Sequence, residues 1–152
     1  MPSLNWNALN SLQLGKYAEY YAKMELSSYG LDVYTSEVDD HGIDFVVKFN
    51  NRFIEFQVKS ILRTDYIFMT KRHWDITNES LYLFLMIFEQ GKEPQPFIIP
   101  ATAWRVPTDL LKIRDYDGLK SEPEYGMNLS RKNRPLLEEF MIDHFIKKLE
   151  SI

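Results

Sequence analysis

The chain has 152 residues, 45% hydrophobic and 26% charged, enough to bury one substantial core and incompatible with wholesale disorder. It contains no cysteine, which excludes disulfides, zinc–thiolate sites, iron–sulfur clusters and thiol catalysis. A net charge of −4 argues against coating nucleic acid through overall basicity, but it leaves room for a local basic groove.

No repeat, low-complexity tract or Gly/Ser/Pro-rich linker divides the chain, so one domain over 1–152 is expected. Asn10 to Tyr29 reads as a helix, with Ser11 as its cap, Ala18, Ala22 and Leu26 at helical spacing, and Gly30 as its stop. Leu31 to Glu37 reads as a strand, and Val38 to Gly42 as a turn. Ile43 to Phe49 and Arg52 to Lys59 read as a hairpin around Asn50-Asn51. Tyr66 to Thr70 is a short strand. Leu81 to Glu89, almost wholly apolar, fits a strand covered on both faces. Gln95 to Ile99 is a further strand, and Pro107 to Asp117 is irregular or a short helix. Asn133 to Leu149 is expected to be one amphipathic helix with Pro135 in its first turn. The longest apolar run, Leu81 to Phe88, is too short to cross a bilayer. The first residues show no basic segment followed by an apolar block, so a cytoplasmic protein is expected.

Strand alternation sorts the hairpin's side chains. Ile43, Phe45, Val47 and Phe49 share a face, as do Ile54, Phe56 and Val58. Asp44, Gln57 and Lys59 then point the other way, with Glu55 two residues before Gln57. If the first helix packs on that polar face, Glu19 joins them, because it lies in a stripe with Gly15, Ala22 and Leu26. A carboxylate in such a stripe is costly unless it is paired or metal-bound. Two carboxylates, the Gln57 amide oxygen and the Val58 carbonyl are hard ligands suited to Mg²⁺ or Mn²⁺. Such a metal activates water for phosphodiester attack, and a lysine beside it neutralises developing charge.

Gly15-x-x-x-Glu19, Gly42-Ile43-Asp44 and Gln57-Val58-Lys59 resemble the motifs of the PD-(D/E)xK nuclease superfamily. A narrower resemblance is to the DUF4365-type bacterial branch. It rests on the same "GiD" and "QVKS" segments, on Pro100-Ala101-Thr102-Ala103-Trp104, and on Glu122-Pro123-Glu124-Tyr125-Gly126. The superfamily likeness covers roughly the first 60 residues, the narrower one most of the chain. The resemblance implies an α/β, restriction-endonuclease-like core: a mixed central sheet flanked by helices, in the order α-β-β-β-α-β. It implies Asp44 as central metal ligand, Glu19 as a ligand or holder of a bound water, and Lys59 as the group that positions the nucleophile. Gln57 stands where the family usually carries Asp or Glu, and a neutral ligand there lowers metal affinity; Glu55 is a candidate to compensate.

The implied partner is nucleic acid, DNA first, with two copies pairing to cut two strands. Arg63, Lys71, Arg72 and Trp74 are candidate contacts for phosphates and bases. Plain alternatives stand beside these readings: a solvated loop for the basic residues that follow Lys59, a partly exposed helix position paired with Lys23 for Glu19, and a solvated cap for Arg131, Lys132 and Arg134. His41, His73 and His144 read as ordinary histidines, with His41 notable for its nearness to Asp44. A nuclease-fold module that binds nucleic acid or a protein without cutting is the alternative function, and a self-associating scaffold is a third.

Overall fold

The computed structural model describes residues 1–35 and 42–151. The expected turn at 38–41, the last residues of the first expected strand and His41 lie outside them.

The first helix, α1 (Ser11–Ser28), is capped by Asn10 rather than by Ser11. The Asn10 side chain accepts from the Gln13 backbone N–H at 2.8 Å, and the Gln13 side chain accepts from the Asn10 N–H at 2.9 Å. This reciprocal capping box satisfies two of the N–H groups that a helix start leaves open. Gly30, at φ +81°, ends the helix in the left-handed conformation that side chains resist.

Three strands follow: β1 (Asp32–Thr35), β2 (Phe45–Phe49) and β3 (Arg52–Ile61). Asn50 and Asn51 both take positive φ, 47° and 64°, as a two-residue hairpin turn between twisted strands requires. The next strand in sequence, β4 (Tyr66–Thr70), leaves this sheet. β5 (Leu81–Ile87) returns to pair in parallel with β3, and β6 (Gln95–Pro100) closes the far edge antiparallel to β5. The result is a mixed five-stranded sheet in the order β1-β2-β3-β5-β6. Mixed α/β architecture of this kind is consistent with a restriction-endonuclease-like core.

The helix expected between the third strand and its parallel neighbour is not there. The crossover consists of β4 and a 3-10 turn at Lys71–His73. The alternation of Tyr66-Ile67-Phe68-Met69 suits a strand, with Ile67 and Met69 buried and Phe68 exposed. β4 joins two strands that the sequence did not announce, β7 (Leu111–Arg114) and β8 (Glu124–Asn128), in a second sheet of order β4-β8-β7.

Every residue of β5 is buried because the strand lies between two cores. Tyr82, Phe84 and Met86 face the first core, which α1 covers with Leu14, Ala18, Ala22 and Leu26. Leu83, Leu85 and Ile87 face the second, covered by the small sheet and by Trp74 and Trp104. The layers are therefore helices, large sheet, small sheet.

The expected C-terminal helix is two pieces. A 3-10 helix spans Arg131–Phe140, with Pro135 inside it, and α2 spans Ile142–Glu150. Between them Met141 is extended (ψ 151°) and forms a β-bridge with Phe97. That bridge re-aims the chain so that Phe140 enters the second core and Ile142, Phe145 and Leu149 enter the first.

Gly126 shows why β8 was hard to foresee. A side chain there would overlap the Tyr66 ring, coming within 2.7 Å of Cε2. The ring lies across Gly126 and its hydroxyl donates to buried Glu124. The Gly126 carbonyl accepts from Trp104 Nε1 at 2.9 Å. Gly126→Ala is expected to cost about 1–3 kcal/mol or more, the range for overpacking, read by chemical denaturation. An unchanged midpoint would contradict this packing.

Candidate functional site

The β2–β3 ladder does not end cleanly. Phe45 is the register partner of Phe56, yet the Asp44 N–H also donates to the Phe56 carbonyl, at 2.9 Å. Two residues thus oppose one, the pattern of a β-bulge, which turns a side chain from its expected direction. Beyond the bulge, Asp44 Oδ2 accepts from the Val58 N–H at 2.7 Å. A carboxylate oxygen takes the ladder bond that a backbone carbonyl would have taken. By alternation with Glu55, whose N–H donates to Ser80 of the β5 side, the Val58 carbonyl also points toward this open end.

The bulge corrects the sequence assignment of faces. Simple alternation put Asp44 with Gln57 and Lys59, under α1. In the structure α1 packs on the apolar face, against Phe45, Val47, Ile54 and Phe56. Ile43 departs from that face and packs on the second core. Asp44 lines a cleft of about 230 Å³ together with Val58 and with Gly15 and Glu19 of α1. Helix and strands therefore bring Glu19, Asp44 and Val58 together around the open end of the ladder.

Glu19 is also held along its own helix. Its carboxylate pairs with Lys23 Nζ at 3.0 Å and with Lys16 Nζ at 3.8 Å. The pairing of this residue with Lys23 is thus present in the structure, half-buried and on the rim of the same cleft.

Gln57 and Lys59 sit on the opposite side of β3 from Val58. The Gln57 amide is packed flat under Gly42, where a Cβ would lie 3.4 Å from Oε1 and 3.5 Å from Nε2. Gly42 is at φ +76°, a left-handed backbone conformation that side chains resist, so the backbone favours glycine there. Gln57 Oε1 is buried and has no hydrogen-bond partner among the described residues. Burial holds the Lys59 amine below the usual lysine range, and the negative charge of Asp44 partly opposes that shift. Glu55, the candidate compensating carboxylate, instead accepts from Asn78 Nδ2 at 3.3 Å, on the loop before β5. Among the described residues no three His, Asp or Glu side chains cluster closely enough to hold a metal by themselves.

The candidate nucleic-acid contacts divide. Trp74 is 1% exposed, with its ring edge-on to Trp104 at 5.8 Å, so it stacks in the core and not on a base. Lys71 pairs with Asp115 and lies over the Tyr125 ring, and Arg72 pairs with Glu122 at 3.3 Å. Those partners lie far along the chain, which is why local sequence did not reveal them. Arg63 stays near the cleft: its guanidinium donates to the Asn7 and Leu9 carbonyls, each at 3.0 Å.

No protein-family model matches this chain, and no curated protein matches it either. Among solved structures it is similar to Hjc, a Holliday junction resolvase from the archaeal hyperthermophile Archaeoglobus fulgidus. The two are 11% identical, with a TM-score of 0.48 over 80% of this chain and 88% of that one. Among the described residues no helix is long and apolar enough to cross a membrane.

Asp44→Ala leaves the Val58 N–H without its acceptor and is expected to cost about 1–3 kcal/mol. Asp44→Asn keeps an acceptor oxygen and should cost less. The Asn variant removes the charge that favours the lysine ammonium, so Lys59 should titrate at a still lower pH than in the wild type. Denaturation curves and NMR titration of the lysine Cε resonances measure both effects. Equal stabilities for the two variants, or an unmoved Lys59, would contradict the roles given to Asp44.

Proposed function

We propose that the chain is a metal-dependent nuclease of the PD-(D/E)xK type, acting on phosphodiester bonds of nucleic acid, DNA foremost. The observation that carries the reading is the bulged Asp44 at the open end of the β2–β3 ladder, sharing a cleft with Glu19 and Val58. The donor chemistry fits a hard divalent cation such as Mg²⁺ or Mn²⁺: two carboxylates, a backbone carbonyl and a buried amide oxygen without a hydrogen-bond partner among the described residues. Asp44 and Glu19 would hold such an ion, with Val58 and Gln57 as neutral oxygens. A bound ion of this kind polarises phosphoryl oxygens and lowers the pKa of a water molecule. Lys59 adds a cation near Asp44, suited to neutralise charge that develops on a phosphate.

A second reading is supported by its own observations. Gln57 carries no charge, Glu19 is paired with two lysines, and the described residues hold no three-acid cluster. These favour a module that binds nucleic acid or a protein without cutting.

The experiment is cleavage of a panel of single-stranded, duplex and branched DNA and of RNA, with Mg²⁺ or Mn²⁺. Wild type is expected to cut at least one substrate, and Asp44→Asn to lose at least a hundredfold, a loss of about 2.7 kcal/mol in transition-state stabilisation. No cleavage by folded wild type would support the binding module, and equal cleavage by the variant would remove Asp44 from the site.

A further inference from the structure

The cleft at Asp44 does not stand alone. It shares Ser11, in the first turn of α1, with a second hollow formed by Ser60, Ile61, Leu62, Arg63 and Thr64 at the end of β3. That hollow shares Leu62 with a third and larger one of about 390 Å³, lined by Asn7, Phe88, Glu89, Gln90, Arg131 and Arg134. The three form one groove, from Asp44 past the start of α1 to the 3-10 segment before α2.

Cations line this groove along its length: Lys16 at the first hollow, Arg63 at the second, Arg131 and Arg134 at the third. Among the described residues no carboxylate lies within ion-pairing distance of Arg63, Arg131 or Arg134, unlike Lys71 and Arg72 on the second sheet. Glu89, the acid in the third hollow, is paired with Lys92 at 3.3 Å. Two of the arginines are also placed. Arg134 Nε donates to the Leu129 carbonyl at 2.6 Å, and Arg63 is braced on two carbonyls of the N-terminal segment. A guanidinium carries five donors, so each keeps several for a ligand. The walls are fixed too: Gln90 accepts from the Asn7 N–H at 2.8 Å and donates to Asn5 Oδ1 at 2.7 Å.

Guanidinium groups without carboxylate partners among the described residues, two of them braced, spaced along one groove, suit a chain of phosphates better than a single anion. We infer that this groove seats the phosphodiester backbone of a nucleic-acid strand, with Arg131 and Arg134 gripping phosphates several positions from the bond at Asp44. The inference rests on the nuclease reading and gives that site a direction: from the bond at Asp44 the strand runs past the start of α1 and leaves along Arg131 and Arg134. It also explains how a protein of net charge −4 holds a polyanion, through charge placement alone.

The test is binding of a fluorescent 20-nucleotide DNA, single-stranded and then duplex, by Asp44→Asn protein in EDTA, followed by anisotropy across a salt series. Arg131→Gln is the main variant because the Arg131 side chain makes no hydrogen bond within the described residues; Arg131→Gln/Arg134→Gln is the second. Lys147→Gln, an exposed lysine of α2 outside the groove, controls for bulk charge. The single variant is expected to weaken binding several-fold and the double variant at least tenfold. For single-stranded DNA the slope of log affinity against log salt should shrink by about 0.7 per arginine. Lys147→Gln should leave both quantities unchanged. Binding that survives both arginine variants, or falls equally with Lys147→Gln, would overturn the groove while leaving the nuclease reading in place. No binding of DNA at low salt before any arginine is changed would overturn both.

Discussion

The bond from the Val58 N–H to the Asp44 carboxylate closes a sheet that would otherwise gape. β2 must leave β3 at this point, because Gly42 and Ile43 run toward the second core while Phe45 stays in the first. The departure strands one ladder donor, and a stranded buried N–H costs as much as a lost hydrogen bond. Asp44 supplies the acceptor from its side chain. Only a residue at the bulge could do so, and doing so fixes a negative charge at the end of the sheet, beside α1.

Other features of the site follow from that constraint. α1 reaches the bulge because its stripe of Leu14, Ala18, Ala22 and Leu26 lets it lie close against the sheet's apolar face. Glu19, on the flank of that stripe, thereby arrives at the same cleft as Asp44. Gly42, before the bulge, passes flat over the Gln57 amide, and Lys59 lies where it feels the Asp44 charge. One irregular backbone step therefore gathers residues from three elements at a single sheet end.

What the sequence revealed was what depends on near neighbours. The α1 helix, the Asn50-Asn51 hairpin and the doubly covered β5 are each written in a local pattern. Motif spacing singled out Glu19, Asp44, Gln57 and Lys59, and alternation put Gln57 and Lys59 opposite Val58, but the face of Asp44 and the side on which α1 packs were not legible. A bulge inverts alternation without a sequence mark, so Asp44 was assigned to the wrong side of β2. Distant partners hid the rest. Gly126 makes sense in a strand only once the Tyr66 ring lies on it. Met141 breaks a good amphipathic helix because Phe97 pairs with it. Trp74 is interior because Trp104 meets it, and Arg72 is engaged because Glu122 reaches it.

The central claim is that the bulged end of the ladder is built to hold a divalent cation. Calorimetric titration with Mn²⁺ of the wild type, Asp44→Asn and Gln57→Glu tests it without reference to any substrate. Saturable binding by the wild type is expected, with its loss in Asp44→Asn and binding at least tenfold tighter in Gln57→Glu, where a carboxylate replaces the one neutral side-chain donor of the set. No saturable binding by either the wild type or Gln57→Glu, with both proteins folded, would contradict it.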